Sequence, residues 1–597
     1  ISMDIPGKLR GIGMQAIPLD YLPLDNIDLF ERWPNMYWEF GDRIMSAAEI
    51  IKKDKRLYPV YITNFGCGPD SFIMQYFERE MDRPFLKIEV DEHTAGAGVI
   101  TRCEAFSDSL KNIRNLKEFH KFKSTGSIDK KDPPFKRADN RTIYIPFMGD
   151  GTYVVESAFK FFGVNAQVMQ SDQETLEIGR RHTLGKECYP FIITTGDILK
   201  TLKYNDPKKS AFLMPITHGP CRFGQYSKMQ KIIIKEQGYD DVPIIAPGAP
   251  ESSQFYKEYD MQGVKGTRFL SRAMAGIFAV DYLNRFLRHV RPFEINTGET
   301  DSLYQSHLNK ICQIVENKEN KKVLDLLAGV LESAKKDFSG IKRKDETRPV
   351  IGIVGEIYVR NHPFSNNEVI RKIEELGGVV EIPDFGEWTN HTNATGRLDI
   401  LIKQKDLAYK MKNSFGFNNN RGSSNNNGNG NGHENPDYFN ESNSFASLKK
   451  YIPNYARGLG FFAANKVFKN VIVNYHKTLE KPLKDSMLDL DEADIYEIWD
   501  NAEPYIIKWF GEAALSVGKS IAWMNKGIDG IVNVLPFTCM PGTMVTAISQ
   551  KLREQYGVPW LNLAFDGLEQ GTGETRLEAF MYQSKEYKLK KQNTYSK

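Results

Sequence analysis

The chain has 597 residues, a hydrophobic content of 41% and 79 basic against 76 acidic residues, which leaves a net charge of +3. Its length predicts two to four domains, and its balanced charge argues against nucleic-acid binding, which needs a basic stripe. No apolar run approaches the roughly 18 residues of a membrane-spanning helix, so we expect no membrane association. Six cysteines are too few for a secreted disulfide scaffold, which favours a cytoplasmic location.

The first residues, ISMDIPGKLRGIG, carry no signal-peptide pattern and no initial Met, so residues 1–57 are interpreted as the tail of a truncated domain. From residue 58 onward, continuous apolar runs alternate with helical patterns, as expected for strands covered on both faces. This alternation predicts parallel βαβ units and an α/β fold. In the first lobe, residues 58–266, strands are expected at 58–65, 85–90, 142–148, 166–169, 211–216 and 242–247.

The second half of the chain repeats this pattern after a helical stretch. Residues 267–345 lack strand signals and are predicted to be helical. Asn, Gly and Ser dominate residues 413–444, which cannot bury enough apolar area to become ordered and are interpreted as a surface insertion without chemistry. In the second α/β lobe, residues 346–597, strands are expected at 349–359, 379–385, 530–537 and 559–565.

Four cysteines lie in Gly/Pro-rich turns that each end a predicted strand or open a predicted helix. They are Cys67 in NFGCGPDS, Cys188 in GKECYPF, Cys221 in HGPCRFGQY and Cys539 in PFTCMPGT. Thiolates are stabilised in such turns because backbone N–H groups point outward, and ligands of open α/β sheets bind at the carboxyl ends of strands. Four such thiolates predict an iron–sulfur cluster. The alternative is incidental thiols in tight turns.

Three further residues bear on this hypothesis. Arg222 directly follows Cys221, where it is expected to lower the pKa of a thiol or to donate a hydrogen bond to a cluster sulfide. Cys103 and Cys312 have helical neighbours and are interpreted as buried filler. Zinc is the alternative metal, but structural zinc usually uses cysteine pairs with short spacing, which are absent here.

Two other segments carry residues that are typical of catalytic or nucleotide-binding sites. DEHTAGAG, residues 91–98, makes Glu92 and His93 candidate catalytic acid–base residues, and the alternative is that Asp91 and Thr94 cap the following helix. GEAALSVGKS, residues 511–520, has six residues between its first glycine and Gly518, where a phosphate loop has four. We therefore expect no ATP hydrolysis by this chain alone.

Six motifs along the chain belong together. They are NFGCGPDSFI, FLKIEVDEHTAGAGVITR, GKECYPFIITTGD, GPCRFGQY, GEIYVRNHPFSNN and VNVLPFTCMPGTMVTA. In combination they resemble the 2-hydroxyacyl-CoA dehydratase D-component (beta-subunit-like) superfamily. The likeness is closest to the C-terminal part of the large acyl-CoA dehydratase activase-related proteins, and it runs from about Asn35 to Gln583 without the Asn-rich insertion.

This resemblance implies flavodoxin- or Rossmann-like parallel-sheet lobes around a cysteine-bound [4Fe–4S] cluster. Cys67, Cys188, Cys221 and Cys539 occupy the family's cysteine motifs, whereas the six ligands of a double-cubane variant are not plainly present. Better-known members receive a low-potential electron from an ATP-hydrolysing activase. They then dehydrate 2-hydroxyacyl-CoA or reduce an aromatic acyl-CoA in anaerobic electron-transfer chemistry.

The sequence leaves three functions open. The first is an iron–sulfur dehydratase or reductase component, with an acyl-CoA substrate and electrons from an activase or from activase-like modules upstream. The second is a non-catalytic, cluster-bearing electron relay or scaffold in a larger assembly. The third, a cluster-free α/β binding protein, requires the four similar cysteine turns to be a coincidence.

Overall fold

Strands and helices alternate along the chain in the computed structural model, and every pairing between its named strands is parallel. The structure describes residues 3–29, 32–33, 36–64, 68–91, 93–115, 140–217, 221–247, 263–319, 321–414, 460, 463, 466–484, 486, 488, 493–507, 510–568 and 571–595. Within them, no helix is long and apolar enough to cross a membrane.

The described strands are short, and each lies within or next to the apolar run that predicted it. They are β1 (Val60–Thr63), β2 (Leu86–Glu89), β3 (Thr142–Ile145), β4 (Ala166–Val168), β5 (Ser210–Leu213), β6 (Ile244–Ile245), β7 (Val350–Gly355), β8 (Val379–Glu381), β9 (Gly530–Pro536) and β10 (Trp560–Phe565). The predicted strand at 349–359 was too long, because the chain turns at Gly355 and continues as a short helix, Ile357–Asn361.

The two larger sheets have the same internal strand order. One runs β4-β3-β5-β6 and the other β10-β9-β7-β8, so each has the order 2-1-3-4 when its strands are numbered from the first strand of that sheet. This is the beginning of the flavodoxin-like order, with a switch point between strands 1 and 3. The predicted α/β fold with flavodoxin- or Rossmann-like parallel lobes is therefore confirmed. Strands β1 and β2 pair only with each other, as a separate two-stranded sheet.

Helices cover these sheets and make up most of the described part of residues 267–345, as predicted for that stretch. In the first half of the chain they are Ile5–Gly11, Glu39–Lys53, Asp70–Glu80, Gly96–Asn115, Gly151–Phe161, Gln173–Arg181, Tyr189–Tyr204, Tyr226–Glu236 and Gly266–Val290. In the second half they are Glu299–Glu316, Val323–Gly340, Ile357–Asn361, Val369–Glu375, Phe385–Ser414, 466–480, Ile495–Ala502, Gly511–Asn525, Met540–Tyr556 and Gly571–Tyr595.

One helix packs into the cores of both lobes and so fixes their contact. Phe191 and Leu199 of helix Tyr189–Tyr204 join the core of the first lobe. Ile192 and Ile193 of the same helix pack into a core that contains Ile351 of the β7–β10 sheet. The N-terminus of this helix, with Cys188, consequently lies between the two lobes.

The chain divides into two compact units, residues 1–385 with 479–597, and residues 386–478. Both sheets of four strands lie in the larger unit, as do the sequence-predicted boundaries at 57, 266 and 345. The smaller unit contains most of helix Phe385–Ser414 and of helix 466–480. Residues 415–444 of the predicted Asn-rich insertion lie outside the described residues.

Candidate functional site

Both switch points direct their loops to one region. Cys221 follows β5, and Cys539 follows β9, and each of these strands is the third along the chain in its four-stranded sheet. Glu356 follows β7, the first strand of the second lobe. Because all these strands are parallel, the loops leave from the carboxyl edges of their sheets, where open α/β folds bind ligands.

Arg222 joins the turns of all four predicted cysteine ligands. Its side chain donates hydrogen bonds to backbone oxygens of Gly68 (3.4 Å), Lys186 (3.2 Å) and Thr538 (2.9 Å). Gly68 follows Cys67 directly, Lys186 is two residues before Cys188, and Thr538 directly precedes Cys539. Arg222 itself follows Cys221. Four turns that are far apart in sequence therefore converge on one guanidinium, which also bonds to the hydroxyls of Ser71 and Thr538.

Each described ligand candidate stands at the start of a helical turn. Cys188 and Cys539 are the N-cap residues of helices Tyr189–Tyr204 and Met540–Tyr556, and both helices have proline in their first turn. Cys221 caps the short 3₁₀ turn Arg222–Gln225, where the amide of Phe223 lies 3.5 Å from its sulfur. All the cysteines in the described part of the chain are free thiols. Cys67 lies outside the described residues.

The three described thiols are close enough to affect one another electrostatically. Burial raises the pKa of Cys539, and Glu356, Cys188 and Cys221 raise it further. Burial also raises the pKa of Cys221, with additional contributions from Glu512 and Cys188. Without a cation to bind, these thiols are therefore kept protonated. A positively charged metal group would reverse this balance and favour the thiolates.

The charge of Arg222 interacts with more than one of the predicted ligand thiols. It interacts with its neighbour Cys221, but burial holds the pKa of that thiol well above its usual value. At Cys188 the larger effect of burial also raises the pKa of the thiol, and Arg222 opposes it. Burial would lower the pKa of Arg222, but Cys188, Tyr226, Cys539 and Cys221 together raise it.

Thr538 holds a strained backbone conformation next to Cys539. Its φ angle is +65°, in the left-handed region that a β-branched residue rarely enters. Such a conformation costs on the order of 1–3 kcal/mol and persists only where the surroundings impose it. Arg222 imposes it through its bonds to the backbone oxygen and the hydroxyl of Thr538. The strained residue therefore lies at the place where the cysteine turns meet Arg222.

The described residues contain no group of three or more His, Cys, Asp or Glu side chains arranged to hold a metal ion, and Cys67 is not among the residues searched. The described part of the chain therefore shows no zinc site. An iron–sulfur cluster is larger than one ion, so its cysteines surround it at wider spacing. Three enclosed thiols with a shared guanidinium match the donor chemistry that such a cluster needs.

Two acidic residues of this region were missed by the sequence interpretation. Glu356 directly follows β7, and Glu512 is the second residue of helix Gly511–Asn525. Both keep some solvent contact, yet surrounding protein raises the pKa of each. Glu356 acts electrostatically on Cys188, Cys221 and Cys539, and Glu512 acts on Cys221, and we call the region of these five residues the cysteine recess. Glu356 lies in the quoted motif GEIYVRNHPFSNN, so a carboxyl directly after a buried strand was the available signal.

Gly355 is what allows Glu356 to reach the recess. Its φ angle is +113°, and a Cβ atom at this position would lie 1.9 Å from the backbone oxygen of Val534 in β9. Only glycine avoids both the strained φ and this overlap. The turn after β7 can therefore lie directly against β9, where the amide of Glu356 donates a hydrogen bond to the oxygen of Val534 (3.0 Å).

Of the predicted acid–base pair the structure describes only His93, which follows β2, and the role of both residues stays a prediction. Glu92 lies outside the described residues. His93 is exposed in the turn after β2, where its amide donates to a carboxylate oxygen of Asp91 (3.1 Å). The amide of Asp91 in turn donates to the hydroxyl of Thr94 (2.7 Å), so both capping candidates close a turn just before helix Gly96–Asn115. Lys186 connects β2 to the turn of Cys188 by its ion pair with Glu89 (2.8 Å).

The remaining segments have structural surroundings. Cys103 is fully buried in helix Gly96–Asn115, where it packs with apolar residues such as Ile88 and Val99. Cys312 is half-buried in helix Glu299–Glu316, and burial raises its pKa to about 11. The segment that comes nearest to a phosphate loop, residues 511–520, forms part of helix Gly511–Asn525, and its Lys519 is buried.

Neither a scan against protein-family models nor a search of the curated proteins found a match to this chain.

Proposed function

We propose that the chain is an iron–sulfur protein of the 2-hydroxyacyl-CoA dehydratase type, with Cys67, Cys188, Cys221 and Cys539 as the ligands of a [4Fe–4S] cluster. The observation that carries the proposal is the convergence of the turns that flank these cysteines on Arg222. Cysteine thiolates are the usual ligands of such clusters. When bound, the cluster would supply one-electron redox chemistry at low potential.

The protein's own residues prepare the recess for a group of this kind. Cys188, Cys221 and Cys539 each stand at the start of a helix or helical turn, which restricts the directions that their thiols can take. The buried guanidinium of Arg222 offsets negative charge that thiolates would bring into a region of low dielectric. Residues packed around Cys188 and Cys539 leave each of them only 7% exposed, which limits the access of water.

The electrons would come from a separate ATP-dependent activase or from activase-like modules upstream, and the substrate would be an acyl-CoA in the cytoplasm. These parts of the proposal rest on the resemblance of the cysteine motifs. The internal helix formed by residues 511–520 supports the assignment of ATP hydrolysis to a partner, because a phosphate loop requires an open Gly-rich turn.

Iron and sulfide analysis of the anaerobically purified full chain tests the proposal. We expect about four iron and four sulfide atoms per chain, with an absorption spectrum that bleaches on reduction. Cys188→Ser should lose most of this iron, because a hydroxyl is a poor replacement for a thiolate ligand. A wild-type chain without iron, or a Cys188→Ser chain with full iron, would overturn the proposal. An acyl-CoA that changes the electron paramagnetic resonance spectrum of the reduced chain would support an enzyme over an electron relay.

A further inference from the structure

A small cavity lies near the amino-terminal ends of β7 and β9, between helices Gly511–Asn525 and Gly266–Val290. Its volume is about 180 Å³, which is more than one water molecule needs and less than the pocket of a drug-sized ligand. Half of the described residues that line it have apolar side chains. They are Val350, Leu488, Ala493, Ala522, Trp523 and Ile528. Most of the others are charged, so the cavity combines apolar walls with a few ionic groups, as ligand pockets do.

This cavity is remote from the cysteine recess. Val350, which lines the cavity, is the first residue of β7, whereas Glu356 of the recess follows the last residue of that strand. A strand rises roughly 3.3 Å per residue, so β7 separates the two places by roughly 20 Å. A ligand in the cavity would therefore not touch the cysteine turns, and an inference about it does not rest on the proposed function.

Lys519 brings a buried positive charge to the cavity wall. The residue is only 2% exposed, and its ammonium lies 5.6 Å from the centre of the Trp523 ring, within the range of a cation–π contact. Lys519, Ala522 and Trp523 stand at positions i, i+3 and i+4 of one helix, so they share the face that lines the cavity. The Trp523 ring packs closely on β7, since a Cβ atom at Gly352 would lie 2.5 Å from it. Lys526 directly follows the helix and adds an exposed ammonium to the lining.

The opposite wall carries two polar pairs that are formed within the protein. Arg285 donates a hydrogen bond to a carboxylate oxygen of Asp384 (3.2 Å), and His289 lies 2.6 Å from a carboxylate oxygen of Glu381. Among the described residues of the lining, the two lysines come in addition to these pairs, so the cavity wall carries more positive than negative charge. Positive charge on the wall of a concave, partly apolar site favours an anion.

We propose that this cavity binds a small organic carboxylate, with its apolar body against Trp523, Val350 and Ile528 and its carboxylate facing the ammonium of Lys519. A hydrogen bond between an ammonium and a carboxylate is roughly twice as strong as one between neutral groups. Inorganic phosphate has the charge but no apolar body, so it would leave the apolar walls uncovered. A neutral apolar molecule would cover the walls but form no ion pair with Lys519. The lining therefore favours a ligand that has both parts.

Isothermal titration calorimetry of the full chain with phenylacetate tests this proposal. Phenylacetamide has nearly the same shape without the charge, and inorganic phosphate has the charge without the ring. We expect phenylacetate to bind about tenfold or more tightly than either, because it alone meets both the apolar walls and the ammonium. No binding of phenylacetate, or an equal affinity for phenylacetamide or phosphate, would overturn the proposal.

Three variants test whether the binding occurs in this cavity. Lys519→Met replaces a buried charge by an apolar chain of similar length, so it should weaken phenylacetate binding about tenfold or more and leave phenylacetamide unchanged. Ala522→Leu fills the cavity and should weaken the binding of both compounds. Lys551→Met is the matched control, because Lys551 also lies over an aromatic ring, that of Tyr505, but is exposed and does not line the cavity.

Circular dichroism shows which variants are folded. Wild-type affinity for phenylacetate in folded Lys519→Met or folded Ala522→Leu would overturn the proposal, and the wild-type comparison of the acid with its amide decides it if neither variant folds. Iron content is measured on the same samples after purification without oxygen. It should be equal in wild type and Lys519→Met, because the cavity is remote from the recess. A wild-type chain without iron would overturn the proposed function and leave this inference standing.

Discussion

Arg222 donates a 2.9 Å hydrogen bond to the backbone oxygen of Thr538, a residue 316 positions further along the chain. The bond connects the loop after β5 in the first lobe to the loop after β9 in the second. Arg222 also donates to the backbone oxygens of Gly68 and Lys186, which belong to two further cysteine turns. One buried side chain thus ties together loops that no stretch of continuous backbone holds in place.

Replacing Arg222 should destabilise the chain even without a bound metal. Arg222→Lys retains the charge, but a single ammonium cannot reach acceptors on both sides of a planar guanidinium. We expect the free energy of unfolding to fall by about 2–4 kcal/mol, because several buried carbonyl groups would lose their donor. Urea unfolding monitored by circular dichroism measures this loss. Arg181→Lys is the control, because the side chain of Arg181 is 73% exposed. An equal effect of both substitutions would contradict the stabilising role of the Arg222 hydrogen bonds.

Gly355 should tolerate no side chain. Gly355→Ala places a methyl group 1.9 Å from the oxygen of Val534 at a φ angle of +113°, so β7 and β9 would have to separate. We expect a loss of about 3–5 kcal/mol in the free energy of unfolding. Gly329→Ala is the matched control, because it lies in helix Val323–Gly340 with nothing within 4 Å of the new atom. That control should gain about 0.5–1 kcal/mol, and a similar loss at both positions would show that Gly355 has no special role.

Asp197 should make the stability of the chain depend on pH. It is buried in helix Tyr189–Tyr204, where both of its carboxyl oxygens face the hydroxyl of Ser171 (2.9 and 3.0 Å). Burial raises the pKa of Asp197 to about 7, against opposing effects of Ser171, Thr175 and Lys200. The folded state therefore binds this proton more tightly than the unfolded state does, and its contribution to stability is lost as pH rises from about 4 to about 7.

Asp197→Asn should remove this dependence. The difference in free energy of unfolding between the variant and wild type should shift in favour of the variant by about 2–4 kcal/mol from pH 4 to pH 8, because an amide stays neutral throughout. Urea unfolding at a series of pH values gives the comparison. Asp108→Asn removes an exposed carboxylate and should leave the wild-type pH dependence in place. If the free energy of unfolding of Asp197→Asn varied with pH in the same way as that of wild type, the buried carboxyl would stay ionised in the folded protein.

The cysteines should separate into two groups by iron content. Cys221→Ser and Cys539→Ser should each remove most of the bound iron, since their turns cannot easily direct another ligand into the recess. Cys312→Ser and Cys103→Ser should keep near-normal iron and lose about 1–3 kcal/mol of stability, because each replaces a buried or half-buried thiol by a hydroxyl. Iron per chain is measured for all four variants after purification without oxygen. Equal iron in all four variants would mean that these cysteines bind no cluster and are incidental thiols of an α/β protein.

Most strands could be predicted from the sequence because they are covered on both faces, and continuous apolar runs such as GIVNVLPF mark such strands directly. The run at 349–359 misled the prediction because Ile357 and Val359 are as apolar as the strand before them, although they belong to a helix. Hydrophobicity does not report the φ angle of Gly355, which ends the strand. The separation of β1 and β2 from the larger sheet was equally beyond reach, since strand partners depend on long-range packing.

The sequence by itself determined the parallel α/β class and the turns of Cys188, Cys221 and Cys539, because glycine, proline and apolar runs act on their immediate neighbours. The tertiary structure alone decided that the turns meet at Arg222, and that Glu356 and Glu512 lie side by side next to them. Those contacts depend on the relative position of two lobes and on the helix packed between them. Such positions come from the summed packing of distant segments, which no local pattern records.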